Sequence, residues 1–307
     1  MGKTQFISIL ILATAASPCF GANLGKASGE GAMSGNIEQT AAADRFKPTH
    51  SYAWKESHGA KQQTVIYLFD RDVPTDQWAD AENRSAAISA WTIANKATVV
   101  SWILDDVGKP GGVQSCDANG SCYSSGNSVM NGVSSLVVDI KSDANGKLSG
   151  TLSQGSPGCG DQWCDVTSRY SIDTALAAPT LQDRIASNGK TDSGDSTAAE
   201  AALTAYWKAA GTAKKSDDLT PYFSDERKKE SARQKARNGK MVESMFTRMF
   251  VPGHSGKLEI NEIRFLDDSA LATIKSRVGS GNAAHELKCG VLLSKQAGGW
   301  KIGAEHC

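Results

Sequence analysis

The C-terminal end of the chain constrains its fold more than any other segment. It reads HELKCGVLLSKQAGGWKIGAEHC, and two apolar runs of strand-like character flank the turn Ala297-Gly298-Gly299. If this turn places Gln296 opposite Trp300, then Cys289 falls opposite Cys307. Residues opposite each other on one face have Cβ atoms about 4.5–5.5 Å apart, which small adjustments bring to disulfide distance. The pattern predicts a closing β-hairpin with oxidised cysteines, in a protein that has left the cytoplasm.

The N-terminal end indicates the same compartment, because residues 1–22 have the pattern of a signal peptide. Lys3 supplies a positive start, residues 6–16 form a short apolar run, and the small residues Gly21 and Ala22 offer cleavage sites. The apolar run is too short to span a bilayer, and no later stretch approaches the ~20 apolar residues of a membrane-spanning helix. We therefore expect a mature protein without a transmembrane segment, periplasmic or secreted.

Cleavage removes Cys19 and leaves six cysteines, which in an exported chain predict a disulfide framework. Proximity favours the pairs Cys116–Cys122, Cys159–Cys164 and Cys289–Cys307. The alternative is a zinc site built from the first four cysteines. Their Cys-x5-Cys and Cys-x4-Cys spacings differ from the Cys-x2-Cys of zinc sites, so we expect no bound metal.

Two Asp-Ala-Asn-Gly segments, at residues 117–120 and 143–146, resemble part of a calcium-binding loop. Both lack the third acidic ligand and the closing glutamate that such a loop requires. Turns of the Asx-Gly type explain both segments, so calcium is the weaker alternative.

Charge gives little indication of a partner. The formal net charge is +0, which provides no long-range field to attract nucleic acid or an anionic membrane. The basic run 227–240 contains no aromatic residues and is diluted by Asp225, Glu226 and Glu230. A solvated helix face explains this run, and we expect no nucleic-acid partner.

A chain of 307 residues is long for a single core, so two domains are expected. Residues 23–61 contain few large apolar side chains and predict a flexible leader. Residues 62–178, with a helix over Thr75–Lys96 and several alternating runs, predict an antiparallel β-sandwich-like domain. The small and polar segment 179–196 predicts a linker, and residues 197–307 predict a second domain of the α+β class.

The second domain is similar to a known superfamily. The sequence AEAALTAYW at Ala199–Trp207, a second helix after Tyr222-Phe223 and the closing LLSKQAGGWKI together resemble the NTF2-like superfamily, named for a nuclear transport factor. The resemblance covers about residues 196–307. It implies an α+β cone in which a curved sheet wraps helices around an apolar pocket.

The resemblance also implies where a site would lie. Enzymes of that superfamily place an acid–base pair, often Asp and His, with a Tyr in the pocket. The corresponding candidates in this chain are Asp217, Asp218, Tyr206, Tyr222, His254 and His306, although none matches a catalytic motif position by position. A possible apolar pocket is formed by Tyr206, Trp207, Met245 and Phe246, which equally suit a plain core.

No catalytic or cofactor motif occurs in the sequence: a Gly-x-Ser-x-Gly elbow, a His-Glu-x-x-His pair and a phosphate loop are all absent. We therefore expect an exported, disulfide-bonded binding protein without catalytic activity or cofactor, whose partner is a protein or a small apolar ligand. One alternative is an NTF2-like lyase or isomerase acting on a small apolar substrate. Another is a periplasmic inhibitor or immunity protein directed against a cell-wall-degrading enzyme.

Overall fold

The computed structural model describes residues 24–33, 36–58, 61–118, 122–159, 162–191, 194–278 and 285–306. The predicted signal peptide, residues 1–22, and Cys307 lie outside these ranges. The described chain forms a large sheet of nine strands, a small sheet of four strands and a two-stranded ribbon, all antiparallel, with helices packed on the two larger sheets, which is an α+β fold. In this part of the chain, no helix is both long enough and apolar enough to cross a membrane.

The first part of the chain is rich in strands. They are β1 (Gly25–Gly31), β2 (His50–His58), β3 (Lys61–Phe69), β4 (Val99–Leu104), β5 (Pro110–Cys116), β6 (Cys122–Gly126), β7 (Val129–Met130), β8 (Val133–Ser134), β9 (Leu136–Ser142), β10 (Lys147–Cys159) and β11 (Gln162–Ala175). A 3₁₀ helix (Thr75–Trp78) and α1 (Arg84–Ala94) interrupt them between β3 and β4.

The second part begins with helices and ends with a meander of strands. The helices are α2 (Leu181–Asn188), α3 (Ser196–Ala210), a 3₁₀ helix (Ser216–Tyr222), α4 (Asp225–Met245), a π-helical turn (Phe246–Phe250) and α5 (Val251–His254). The strands are β12 (Leu258–Leu266), β13 (Ser269–Val278), β14 (His285–Gln296) and β15 (Gly299–His306), paired in that order.

The large sheet has nine strands in the order β6-β5-β4-β3-β2-β1-β11-β10-β9. Strands β1 and β2 lie at its centre: Lys26 of β1 faces Asp173 of β11, and Tyr52 of β2 faces Tyr67 of β3. The predicted flexible leader 23–61 is therefore wrong for these two strands. Averaged composition concealed β2, where large aromatic side chains provide the buried surface that a strand needs.

The large sheet curls on itself and does not form the two sheets of a sandwich. Its inner face carries one apolar cluster, to which strands near both ends of the sheet contribute: Val113 and Trp102 from one end, Leu136 and Leu152 from the other. A flat sheet could not bring these side chains together. The β-sandwich prediction is corrected to a single curled sheet whose concave face is its core.

The outer face of the sheet is covered by aromatic side chains beneath α1. Trp54 stacks on Tyr67 with ring centroids 5.4 Å apart, and Trp78 meets Trp91 edge-on at 5.9 Å. The helix itself is shorter than the predicted Thr75–Lys96. It starts after Asn83, whose side chain accepts a hydrogen bond from the backbone amide of Ala86. An asparagine at this position stabilises the start of a helix because it satisfies a backbone donor that has no partner within the helix.

The start of α1 is held by a buried arginine. Arg84 is 4% exposed and donates hydrogen bonds to the carbonyl oxygens of Trp78, Ala79, Ala178 and Pro179. Burial lowers the pKa of its guanidinium. These bonds tie the residues before α1 to the segment that leaves the large sheet, so the start of α1 has a fixed position against the second half of the chain.

The segment 179–196 is not the linker that its composition predicts. Thr180 caps α2, and Ile185 of this helix is fully buried against Leu271 and Leu292 of the second sheet. Lys190 and Phe265 exchange two backbone hydrogen bonds. A helix with one apolar face packs as part of a domain, so α2 belongs with the second sheet.

The closing hairpin forms as predicted, but with a different register at its turn. Gln296 pairs with Gly299, and a register shift after Leu292 makes Gly290 pair with His306. The loop is therefore shorter by one residue than predicted, and an irregularity in β15 compensates for it. Cys289 is disulfide-bonded.

The other four cysteines form the two pairs that sequence proximity favours. Cys116 and Cys122 join β5 to β6 with their Cα atoms 4.1 Å apart. Cys159 and Cys164 join β10 to β11 at a Cα separation of 5.0 Å. Because these sulfurs are bonded to each other, they are not thiolate ligands for zinc.

Candidate functional site

A cavity of about 260 Å³ lies between α4, β15 and the residue that precedes α1. Its wall is apolar, formed by Leu219, Phe223, Val242, Phe246, Phe250 and Ala304. Its polar lining comes mainly from Asn83, Arg227, Glu230, Ser231, Gln234 and Glu305. The two halves of the chain both contribute, since Asn83 belongs to the first and every other residue named here to the second.

The floor of the cavity is the carboxylate of Glu305, which contacts the buried ring of His254. Glu305 of β15 exposes 5% of its side chain, His254 of α5 exposes 3%, and the His254 Nε2 lies 2.7 Å from the Glu305 Oε1. Burial alone would raise the pKa of Glu305, but its hydrogen bond to His254 and the charges of His254 and Arg227 outweigh that effect and lower the pKa. Glu305 is therefore held in its ionised form.

Both ring nitrogens of His254 are engaged. The Nδ1 lies 2.8 Å from the carbonyl oxygen of Phe250, and the Nε2 faces the carboxylate of Glu305. These two contacts fix the orientation of the ring. Aromatic side chains enclose it, with the ring centroids of Phe250 and Trp207 at 4.0 and 4.2 Å.

Tyr206 of α3 is the second partner of Glu305, behind the cavity floor. It is fully buried, and its hydroxyl donates to the Glu305 Oε2 at 2.7 Å. Burial and the negative charge of Glu305 raise the pKa of this phenol well above its ordinary value, which keeps the donor proton in place. The carboxylate thus accepts one hydrogen bond at each oxygen, from His254 and from Tyr206.

Arg227 forms the cationic side of the cavity. Its guanidinium lies 4.4 Å from the ring centroid of Phe223, and one terminal nitrogen lies 4.0 Å from the Glu305 Oε2. The other terminal nitrogen, NH1, is buried and has no hydrogen-bond partner within the described chain. A buried donor without a partner is unfavourable by about 1–3 kcal/mol, and the side chain that carries it lines the cavity.

Helix α4 brings these polar groups to the cavity. Ser224 caps the helix by accepting from the amide of Arg227, which places Arg227 and Glu230 one turn apart on the same face. Burial raises the pKa of the Glu230 carboxyl, against the lowering effect of nearby arginines. A non-helical residue, Asn238, kinks α4, and the part of the helix after the kink contributes Val242 to the cavity.

Glycine at position 303 serves the site in two ways. The register shift in β15 falls next to it, between the pairs Leu292–Ala304 and Leu293–Ile302. A Cβ atom at this position would lie 2.7 Å from the carboxyl carbon of Glu82. Glu82 in turn accepts hydrogen bonds from the hydroxyls of Ser224 and Ser294, so the absent side chain lets the two halves of the chain approach.

The predicted catalytic candidates separate in the structure. Of that set, Tyr206 and His254 come together on the carboxylate of Glu305, behind the cavity floor. Asp217 and Asp218 are exposed: one pairs with Lys235 and the other accepts from backbone amides. His306 is partly exposed on β15.

Of the four predicted pocket residues, Phe246 lines the cavity. Tyr206 and Trp207 lie in the core behind it, and Met245 is 52% exposed. In the described part of the chain, no three His, Cys, Asp or Glu side chains come together as metal ligands.

Sequence reasoning missed Glu305 because of the register shift. Simple alternation from Trp300 and Ile302 points Ala304 and His306 toward the helices and Glu305 away from them. The irregularity at Gly303 reverses the alternation of side chains between the two faces of the sheet. Ala304 therefore packs with Ile185 of α2, and Glu305 faces the cavity. The signal in the sequence is the glycine inside an otherwise apolar strand, which often marks a bulge.

No family model matches this sequence, and no curated protein matches it. A solved structure described as an "Ntf2 like protein involved in plasmid conjugation" aligns with 88% of this chain and 82% of its own, at 8% sequence identity and a TM-score of 0.25. A likeness of this degree carries no argument about fold or role. The similarity of the second domain to the NTF2-like superfamily remains a prediction that rests on element order.

Proposed function

We propose that this protein is an exported, non-enzymatic binding protein whose NTF2-like second domain holds a small amphipathic ligand in the cavity above Glu305. The observation that carries the proposal is an aromatic and aliphatic wall that stands beside the guanidinium of Arg227, one nitrogen of which is buried without a partner. Pockets with an apolar lining and a few fixed polar groups are the usual form of small-molecule sites.

The chemistry of the lining defines the ligand class. The wall formed by Phe223, Phe246, Phe250 and their neighbours takes an apolar body, since it offers no hydrogen bond along its length. The Arg227 NH1 calls for a hydrogen-bond acceptor. We therefore expect a compact apolar molecule that bears a carbonyl, carboxylate or sulfonate group.

The buried contact between His254 and Glu305 favours binding over catalysis. Both nitrogens of His254 are occupied, one by a backbone carbonyl and one by Glu305. A general acid or base needs an atom free to reach the substrate, and it works best when its pKa lies near the operating pH. Glu305 has a lowered pKa and two hydrogen bonds, which suits a fixed negative charge that orients Arg227.

Export is supported by the cysteines. Two disulfides within the described residues and a fifth oxidised cysteine, Cys289, are typical of proteins that fold in an oxidising compartment. The sequence pattern of residues 1–22 points to the same compartment. Together they support a periplasmic or secreted location.

The cavity can be tested by filling it. Val242 lines it, and its neighbour on the helix, Met241, is 56% exposed. With anilinonaphthalene sulfonate as the probe, we expect Val242→Trp to lower affinity about tenfold or more, because the indole occupies the space for the ligand. Met241→Trp is the matched control and should bind as the unmodified protein does.

Fluorescence titration measures the affinity, and thermal unfolding shows that both variants remain folded. Equal binding by the two variants, or no binding by the unmodified protein, would contradict the proposal.

Catalysis at this site is the second candidate function, favoured by the contacts of His254 and Tyr206 with Glu305 beside a cavity. Turnover of a small carbonyl compound that is abolished in Glu305→Gln would favour that candidate.

A further inference from the structure

A second concave site lies at one end of the large curled sheet. The inner face is apolar through most of the sheet, with Val113 of β5 and Leu152 of β10 in the core. Two residues further along each strand, the same face carries Ser115 and Gln154. The interior of the curled sheet therefore changes from an apolar core to a polar mouth at this end.

The mouth forms a cavity of about 320 Å³. Side chains with hydroxyl or carboxamide groups dominate its lining: Asn36, Ser115, Ser125, Gln154, Ser156 and Thr167. Asp165 supplies one carboxylate, and none of the described residues that line the cavity is basic. Without a cation the site does not suit an anionic ligand, and groups that both donate and accept suit a ligand with many hydroxyls.

An aromatic ring stands on the same surface. Tyr123 of β6 pairs with Ser115 of β5 and so points to the same face as Ser115. It is 55% exposed, which is unusual for a large side chain on the concave face of a sheet. An open aromatic face offers an apolar platform, while the phenol remains available for a hydrogen bond.

Both walls of the mouth are fixed in place. The Cys116–Cys122 disulfide lies beside Ser115 and Tyr123 on one wall. On the other wall, the Cys159–Cys164 disulfide precedes Asp165 directly. The Gln154 Nε2 donates to the Ser125 Oγ at 3.0 Å and so joins the two walls. Groups already held in position lose little entropy when a ligand binds.

We propose that this mouth binds a neutral saccharide. Sugar rings present hydroxyl groups around their edge and apolar C–H faces above and below, which match the hydroxyl and carboxamide lining and the exposed ring of Tyr123. Asp165, already an acceptor for the Asn36 side chain, accepts from neighbouring sugar hydroxyls. The site is separate from the cavity above Glu305 and shares no lining residue with it.

The test uses the full chain on an array of immobilised neutral oligosaccharides, followed by calorimetry with any retained sugar. We expect retention of at least one neutral glycan and about tenfold weaker binding by Tyr123→Ala, which loses the stacking surface. Gln62→Ala is the control, since Gln62 is exposed at the opposite end of the sheet. It should bind as the unmodified protein does.

The outcomes are decisive because Tyr123 is exposed and its removal leaves the core intact, which thermal unfolding verifies. Retention of no neutral glycan, or retention only of charged glycans, overturns the proposal. Equal binding by Tyr123→Ala also overturns it. Val242→Trp, which fills the other cavity, should leave glycan binding unchanged, so failure of one proposal does not decide the other.

Discussion

The two larger sheets of the described chain are assembled on different principles. In the small sheet, β12 to β15 pair strictly in chain order, so each contact joins neighbours in sequence. In the large sheet, β1 lies between β2 and β11, and Lys26 faces Asp173. Local pairing leaves a visible pattern of strands and turns in the sequence, whereas pairing across most of a domain does not.

The difference extends to what each sheet encloses. The small sheet and its helices enclose an apolar cavity with the carboxylate of Glu305 at its floor. The large sheet fills its own interior with apolar side chains and leaves a polar mouth at one end. One region thus suits an amphipathic molecule and the other a hydroxyl-rich one.

Trp54, which is fully buried on β2, gives the most direct test of the difference between the two sheets. If the N-terminal segment is integral to the large sheet, Trp54→Ala lowers the free energy of unfolding by about 3–5 kcal/mol, because it leaves a cavity among stacked rings. Urea denaturation measures the loss. Val137→Ala, at a half-exposed position of the same sheet, is the control, with an effect within about 0.5 kcal/mol. If Trp54→Ala leaves the free energy of unfolding unchanged, residues 23–61 form a leader that is not part of the large sheet.

The small sheet is tested at Glu305. Glu305→Gln removes the charge that His254 and Tyr206 contact, and we expect a loss of about 2 kcal/mol at neutral pH, the scale of hydrogen bonds to a charged group. Because the folded state lowers the pKa of Glu305, its stabilisation is complete above the ordinary value of 4.5 and is lost as pH falls through the lowered value.

The difference between the unmodified protein and Glu305→Gln should therefore shrink below about pH 4.5, the unfolded-state value. Urea denaturation over a pH series measures it. A difference that stays constant down to strongly acidic pH would show that the carboxylate is not selectively stabilised in the fold.

The smallest expected effect concerns the contact between the two halves. Glu82→Gln keeps the shape but replaces one acceptor oxygen by a donor, so one of the hydroxyls of Ser224 and Ser294 loses the carboxylate oxygen to which it donates. We expect about 1 kcal/mol of destabilisation. In Glu82→Gln, hydrogen exchange should be faster in both β3 and β14. The control is Asp76→Asn, a change at an exposed position, which should alter neither the stability nor the exchange rates. A change confined to one sheet would mean that this contact does not couple them.

Much of the second half could be predicted from the sequence because its signals are local. The end of α3 at Gly211, the Ser224 cap of α4 and the closing hairpin are each set by a few adjacent residues. The candidate site was only partly predictable. His254 and Tyr206 were recognised as candidates, but their partner Glu305 was hidden by one irregular residue in β15.

The sequence by itself determined the pairs Cys116–Cys122 and Cys159–Cys164, the order of helices and strands in the last third of the chain and the absence of a general charge field. The tertiary structure decided that β1 and β2 occupy the centre of a curled sheet and that Arg227 and Glu305 share a cavity. The physical reason is the range of the interactions. Capping, turns and alternation act within a few residues, whereas burial and strand pairing select partners from the whole chain.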